Sequence, residues 1–232
     1  MEWIRCGDYQ YLLREDGAAV IVRYTGGAAR LRVPAELDGH PVAGVAPGAF
    51  SRCRSLEEVV LPPELEEIGR AAFCECDGLR CMAIPPRVRI LPEQVFYGCT
   101  ALERIILPDG LSVIGRNAFQ HCASLKKIDL PACLTSIGEE AFADCERLRT
   151  IVVPEGVWAV PYRAFFGCTA LENVGLPNKL GRLGREAFAA CISLTHVDLP
   201  AGLESVEDDA FAGSGVRSFS PAEELLADLR GV

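Results

Sequence analysis

Cysteine has the most varied chemistry of any residue type in this chain, because a thiolate can act as a nucleophile, a metal ligand or half of a disulfide. The chain has 11 cysteines. Seven of them recur at intervals of 23 residues: Cys53, Cys76, Cys99, Cys122, Cys145, Cys168 and Cys191. If each interval is one coil, their Cα atoms stack about 4.8 Å apart, within disulfide range. Seven equivalent positions cannot all pair, and Ser214 occupies the eighth, so we interpret them as small, buried, apolar core residues.

A second group of cysteines, Cys74, Cys76 and Cys81, raises the question of a metal site. Structural zinc requires four ligands, usually from CxxC-type pairs, and these intervals do not provide them. Cys76 also belongs to the repeating set. The sequence contains no phosphate-binding loop and no dinucleotide-binding motif either. It therefore predicts no metal site and no cofactor.

His121 and Asp144 provide the one arrangement that resembles an activated nucleophile. Each residue precedes a repeating cysteine, so His121 is expected to stack over Asp144 and beside Cys122. Cys122 is expected to point inward while its neighbours point outward, so the three side chains are not expected to act together. We predict no enzyme activity. A cysteine-dependent enzyme stays open as an alternative that requires an exposed thiol of lowered pKa.

The elements that position these residues follow from a strict 23-residue period. Phenylalanine marks it at Phe50, Phe73, Phe96, Phe119, Phe142, Phe165, Phe188 and Phe211. A leucine follows six residues later, and then an alternating run such as Ile105-Ile106-Leu107 that ends at a proline. The alternation predicts a strand with one buried face, and proline ends it because it has no N–H to donate. A second apolar pair, such as Leu111 with Ile114, follows. This pattern is typical of a solenoid in which each repeat is one coil.

The motif Leu-x-x-Ile-x-Leu-Pro followed by Ile-Gly-x-x-Ala-Phe-x-x-Cys resembles the BspA-like leucine-rich repeat, a bacterial variant of the leucine-rich repeat. The resemblance covers residues 42–214, and the preceding segment also resembles that family at Asp16-Gly17-Ala18 and Leu37-Asp38-Gly39-His40-Pro41-Val42. It implies a β-rich solenoid, a right-handed stack of about eight coils. Members of the family are best known as bacterial surface and secreted proteins that bind host or matrix proteins. The resemblance carries over no catalytic residues.

A solenoid of this kind needs caps, because an open end would expose its apolar columns. Residues 9–13 and 18–24 flank Glu15-Asp16-Gly17, a hairpin signal, so we expect a β-rich N-terminal cap over residues 1–40. The solenoid is expected over residues 41–219. Ser220-Pro221-Ala222-Glu223 is a helix start, which predicts a short capping helix over residues 220–232. We expect the three parts to fold as one cooperative unit.

The formal charge of −9 and the scarcity of dense basic clusters disfavour nucleic acid and anionic membranes as partners. No segment is long and apolar enough for membrane insertion. The first residues do not read as a signal peptide, and stacked thiols suit a reducing compartment, so we expect a cytoplasmic protein. Secretion or display on the cell surface is the alternative if a longer precursor carries a signal peptide. Oligomeric state is not predicted.

The outward positions of the predicted strands are where a partner is expected to bind. Val60, Ala83 and Ile106 are expected to stack into an apolar strip beside Arg104 and Lys127. Val152 lies further along the same face, and Trp158 replaces smaller or polar residues at its position and is expected to anchor an edge. An alternative interpretation is that small and β-branched residues merely suit a strand surface. We interpret the chain as a non-catalytic protein-binding module of a bacterium, with a surface adhesin or carbohydrate-binding module as the alternative.

Overall fold

The computed structural model describes residues 3–220, which contain 20 short β-strands and no helix. The first six strands are β1 (Ile4–Cys6), β2 (Tyr9–Leu13), β3 (Ala19–Tyr24), β4 (Arg30–Arg32), β5 (Glu36–Leu37) and β6 (His40–Val45). β2 and β3 form an antiparallel hairpin around Glu15-Asp16-Gly17, as the sequence predicts, and β1 adds to β2 as an edge strand. β3 then pairs in parallel with β6, which starts the coil stack.

The strand predicted in each repeat forms the first of two parallel rows, here called row A. After β4, row A consists of β7 (Glu58–Val60), β9 (Cys81–Ala83), β11 (Arg104–Ile106), β14 (Thr150–Val152), β16 (Asn173–Gly175), β18 (His196–Asp198) and β20 (Ser218–Ser220). Neighbouring coils pair one repeat apart, as Arg104 does with Cys81, and the row passes through Lys127 as an isolated bridge. The central residue, such as Ile105, is buried while its neighbours point outward. The predicted strand with one buried face is confirmed.

A second row of strands, row B, follows the proline of each coil. It consists of β8 (Glu67–Ile68), β10 (Ile90–Leu91), β12 (Val113–Ile114), β13 (Ser136–Ile137), β15 (Ala159–Val160), β17 (Arg182–Leu183) and β19 (Ser205–Val206). The second residue of each pair is buried. β6 pairs in parallel with both β3 and β8, so one sheet runs across the boundary expected at residue 40. The sequence pattern identified the apolar pair here but not the second row.

The third side of each coil is a series of turns around the repeating phenylalanine. The backbone N–H of the phenylalanine donates to a carbonyl of the next coil, as from Phe119 to the oxygen of Ala141 at 2.8 Å. The residues two before and two after each phenylalanine are left-handed, and 12 of them are not glycine, with φ between 50 and 61°. This hydrogen-bonded ladder holds a conformation that most side chains disfavour.

The interior consists of columns that run through the stack. The eight phenylalanine rings stack with centroids 5.1–5.6 Å apart and interplanar angles of 2–14°. Tyr24 covers the first ring at 5.4 Å, and Phe219 meets the last ring, Phe211, edge-on at 5.2 Å. The leucine and cysteine columns lie beside the rings, and they form one continuous core. Of the helix expected over residues 220–232, residues 221–232 lie outside the described residues, and Ser220 is the last residue of β20.

Candidate binding surface

The repeating cysteines point into the core, as the sequence predicts. From Cys76 onward each thiol is buried and donates a hydrogen bond to the carbonyl oxygen of a phenylalanine 26 residues earlier, at 3.0–3.3 Å. Cys53, at the start of the column, is half-buried. Burial raises the pKa of Cys76 and Cys191 to about 12, and raises the pKa of the thiols between them well above the ordinary value. These thiols are therefore protonated at neutral pH, the opposite of an activated nucleophile.

His121 lies over Asp144, as expected, with Nδ1 3.3 Å from a carboxylate oxygen. Burial raises the pKa of Asp144 and outweighs the lowering effect of His121. The Cys122 thiol points the other way, into the core, and bonds to the carbonyl of Phe96 at 3.3 Å. The geometry therefore does not align the three side chains as a nucleophile with its base. Within residues 3–220, no group of three or more His, Cys, Asp or Glu side chains could hold a metal ion.

The strand face, meaning the outward surface of row A, brings four of the predicted contact residues together. Val60, Ala83 and Ile106 follow one another on β7, β9 and β11, and Arg104 shares β11 with Ile106. The small side chains of Cys81 and Ala83 on β9 leave a hollow of about 320 Å³ between β7 and β11, the strands on either side of β9. Val60 and Ile106 are 36% and 56% exposed. An apolar partner side chain placed here would bury surface on both sides.

The charges around this hollow are arranged in rows across the strands. Glu103 lies between Arg80 at 4.0 Å and Lys126 at 3.1 Å, and the hydrogen bond from Lys126 lowers the pKa of its carboxylate. Lys127 follows Arg104 in the next coil and pairs with Asp129 at 3.0 Å. These pairs are exposed to solvent, so each contributes little to stability. Their main effect is to fix where positive charge lies beside the apolar strip.

Val152 and Trp158 lie apart from this cluster. Val152 is the most exposed apolar side chain of row A, but Asp129 occupies the coil between it and Ile106. Trp158 precedes β15 of row B, so it does not belong to the strand face. Its indole lies over Gly181 of the next coil, where no Cβ keeps it away. The structure therefore separates Trp158 from the strip with which the sequence grouped it.

Sequence reasoning left several neighbours of the hollow outside the proposed contact set. Arg80, Cys81 and Lys126 line depressions that adjoin Arg104. Their repeat positions are the only signal that could have identified them, because residues seven and eight after phenylalanine meet the same positions of adjacent coils. Row B also presents an exposed isoleucine, Ile90, at 53%.

No helix in residues 3–220 has the length and apolar character to cross a membrane.

Comparison with known proteins agrees with this architecture. The family described as BspA type leucine rich repeat region matches in six copies over residues 41–131 and 112–226. The crystal structure of a leucine-rich repeat protein from T. pallidum matches this chain with 34% sequence identity and a TM-score of 0.76. The match covers 83% of this chain and 91% of that one. A second, from Bacteroides ovatus, is 26% identical with a TM-score of 0.74, over 93% of this chain. This chain spans only 64% of the Bacteroides protein. Among curated proteins no sequence matches. The chain belongs to the BspA-type leucine-rich repeat family.

Proposed function

We propose that this chain is a non-catalytic module that binds a partner protein on the strand face. The observation that carries the proposal is the exposed strip of Val60, Ala83 and Ile106 around a hollow, on a fold whose interior is fully occupied by packed columns. Exposed apolar side chains around a concavity, rimmed by charged residues, are typical of protein contact sites. Arg104 and Lys127 form the rim on one side, and Val152 extends the surface two coils further along row A.

Absence of catalysis is part of the same proposal. Six column thiols have raised pKa values and point inward, and His121 does not reach Cys122 across the wall of the coil. The family supplies a scaffold and no reacting groups. Surface display as an adhesin is the competing function. The cysteine content supports a reducing compartment instead, because outside one the thiols are open to oxidation before the chain has folded and buried them. A count of free thiols in protein isolated from the source cells checks this point: oxidised column thiols would indicate export.

The binding proposal is tested by capture from a lysate of the source bacterium with immobilised wild-type protein. The test variant is Val60→Glu/Ile106→Glu, which places two charges in the apolar strip. The matched control is Ile90→Glu, because Ile90 is 53% exposed on a strand of row B and resembles Ile106 in both type and exposure. All three proteins must give the same melting curve.

We expect a protein retained by the wild type and by the control to be lost from the test variant. Equal retention by all three proteins would remove the strand face as the contact surface. Loss from the Ile90→Glu variant alone would move the contact to row B. Separate variants, Val152→Glu and Trp158→Ala, then show whether the more distant residues contribute.

A further inference from the structure

Arg104 lacks the ion pair that its neighbours have. Among the described residues, Arg80, Lys126 and Lys127 each have a carboxylate within 4.0 Å, and Arg104 has none. The backbone of Arg104 forms a β-bridge with that of Lys127 in the next coil, so two positive side chains occupy adjacent positions on one face. Like charges directly opposite each other on a sheet are destabilising. Asp129 pairs with Lys127, so an anionic group bound beside Arg104 would relieve the repulsion that remains.

The hollow beside Arg104 has a different chemistry. Its floor is formed by Cys81 and Ala83, and its walls by Val60 and Ile106. Glu58 lines the opposite side and is partly neutralised by Arg30 at 4.0 Å. The hollow therefore accepts one apolar side chain, while the positive pair lies on one side of it only.

We infer that the strand face binds an extended peptide segment that presents an apolar side chain and a carboxylate two residues apart. The inference rests on the proposed function and names the chemistry of its partner. Arg104 pairs with Cys81 on β9 and strands lie about 4.8 Å apart, so the midpoint between Arg104 and Lys127 is about 7 Å from Cys81. Side chains on the same face of an extended chain are about 6.7 Å apart. A segment that crosses row A thus places one side chain over Cys81, on the floor of the hollow, and the next on that face between the two cations.

Charge complementarity favours a single carboxylate over a polyanion. Glu58, Glu103 and Asp129 lie around the same surface and would repel a continuous row of phosphates or sulfates. An isolated carboxylate brings only one negative charge near these groups and gains a charge-assisted, two-pronged hydrogen bond from the Arg104 guanidinium.

The test is selection of a phage-displayed library of random dodecapeptides against the full chain, followed by binding measurements on the recovered peptides. Three variants accompany the wild type: Arg104→Glu, Val60→Glu/Ile106→Glu, and the control Arg89→Glu. Arg89 is an exposed arginine before β10 in row B and also has no ion pair among the described residues. Identical melting curves exclude unfolding as the cause of any loss.

We expect the recovered peptides to share an aspartate or glutamate two positions from an apolar residue. Their binding should fall about tenfold or more in Arg104→Glu, weaken with salt, and stay unchanged in Arg89→Glu. If the peptides lack a carboxylate, or bind Arg104→Glu as tightly as the wild type, the inference is overturned. If those same peptides no longer bind Val60→Glu/Ile106→Glu, the proposal that the strand face is the binding surface still stands. Peptides indifferent to every variant would overturn both. Failure to enrich any peptide would overturn the inference of a peptide segment.

Discussion

At the scale of single residues, the repeating cysteine is explained by a carbonyl group in the preceding coil. The oxygen of Phe96 accepts the backbone N–H of Cys99 at 3.1 Å and also the thiol of Cys122 at 3.3 Å. A small apolar side chain with a weak donor suits this position. The sequence predicted burial from the period alone. It could not predict the acceptor, since that atom lies 26 residues away in sequence. Ser214 differs, because its hydroxyl bonds to Phe211 of its own coil.

The left-handed positions allow a stability prediction. Ala190 has φ of 59°, and the equivalent position in three other coils is glycine, at Gly98, Gly167 and Gly213. A non-glycine residue in this conformation costs about 1–2 kcal/mol, whereas added freedom in the unfolded chain costs glycine about 0.4–1 kcal/mol. We therefore expect Ala190→Gly to raise the free energy of unfolding by about 0.5–1 kcal/mol. Urea denaturation measures this directly.

The neighbouring alanine gives a matched control for that substitution. Ala189 is buried and is not left-handed, so Ala189→Gly relieves no strain and removes a packed methyl group. It should lower the free energy of unfolding by about 1 kcal/mol. A loss of stability in both variants would show that the left-handed conformation of Ala190 carries no cost.

At the scale of elements, the two rows differ in how visible they are in the sequence. Row A follows from an alternating apolar run that proline ends, as at Ile105 to Pro108, and that signal repeats. Row B strands are two residues long, so a single buried residue such as Ile114 cannot establish alternation. The same limit affected the candidate site. The period places equivalent row A positions in one column, so it predicted that Val60, Ala83 and Ile106 lie together. It could not predict that Trp158 lies apart from them, because Trp158 adjoins a strand of row B, which the sequence did not reveal.

The contact between Trp158, just before β15, and Gly181, just before β17, can be tested by adding one methyl group. A Cβ at residue 181 would overlap the indole of Trp158, which is 54% exposed and free to move outward. We expect Gly181→Ala to displace the ring, shift its fluorescence emission to longer wavelength, and cost about 1 kcal/mol. A Trp3→Phe background leaves Trp158 as the only tryptophan, because the chain has two.

A double-mutant cycle between residues 158 and 181 tests whether the indole causes the loss of stability in Gly181→Ala. In a Trp158→Ala background the overlap is gone, so Gly181→Ala should then have little effect on stability. Equal costs in both backgrounds would mean that residue 181 needs glycine for a reason unrelated to Trp158.

At the scale of the whole molecule, the columns make every coil depend on its neighbours. Phenylalanine rings, leucines and thiols stack without interruption, so the sequence period predicted both the solenoid and its core. The partner chemistry could not follow from the period, because it depends on residues that vary between coils, such as Arg104 and Ala83. A property repeated in each coil should instead appear in global stability, multiplied by the number of coils.

Titration of the thiol column is such a property. The six buried thiols from Cys76 to Cys191 have pKa values raised by burial, to about 12 at the two ends of this set and well above the ordinary value between them. In the unfolded chain they titrate near pH 8.5. Above that pH the unfolded chain binds fewer protons than the native chain, so stability falls as pH rises. Because the six thiols contribute together, the combined loss is large relative to the stability of a whole domain.

We therefore expect the free energy of unfolding, measured by urea denaturation in reductant, to be nearly constant from pH 7 to about 8 and to fall steeply above about pH 9. Cys99→Ser/Cys122→Ser/Cys145→Ser removes three of the six titrating groups, because a serine hydroxyl does not ionise in this range. Its stability at neutral pH will be lower, but the slope against pH should decrease by up to about half. The comparison of slopes is independent of that starting stability. An unchanged slope would show that the column thiols keep their protons no more tightly in the folded protein than in the unfolded chain.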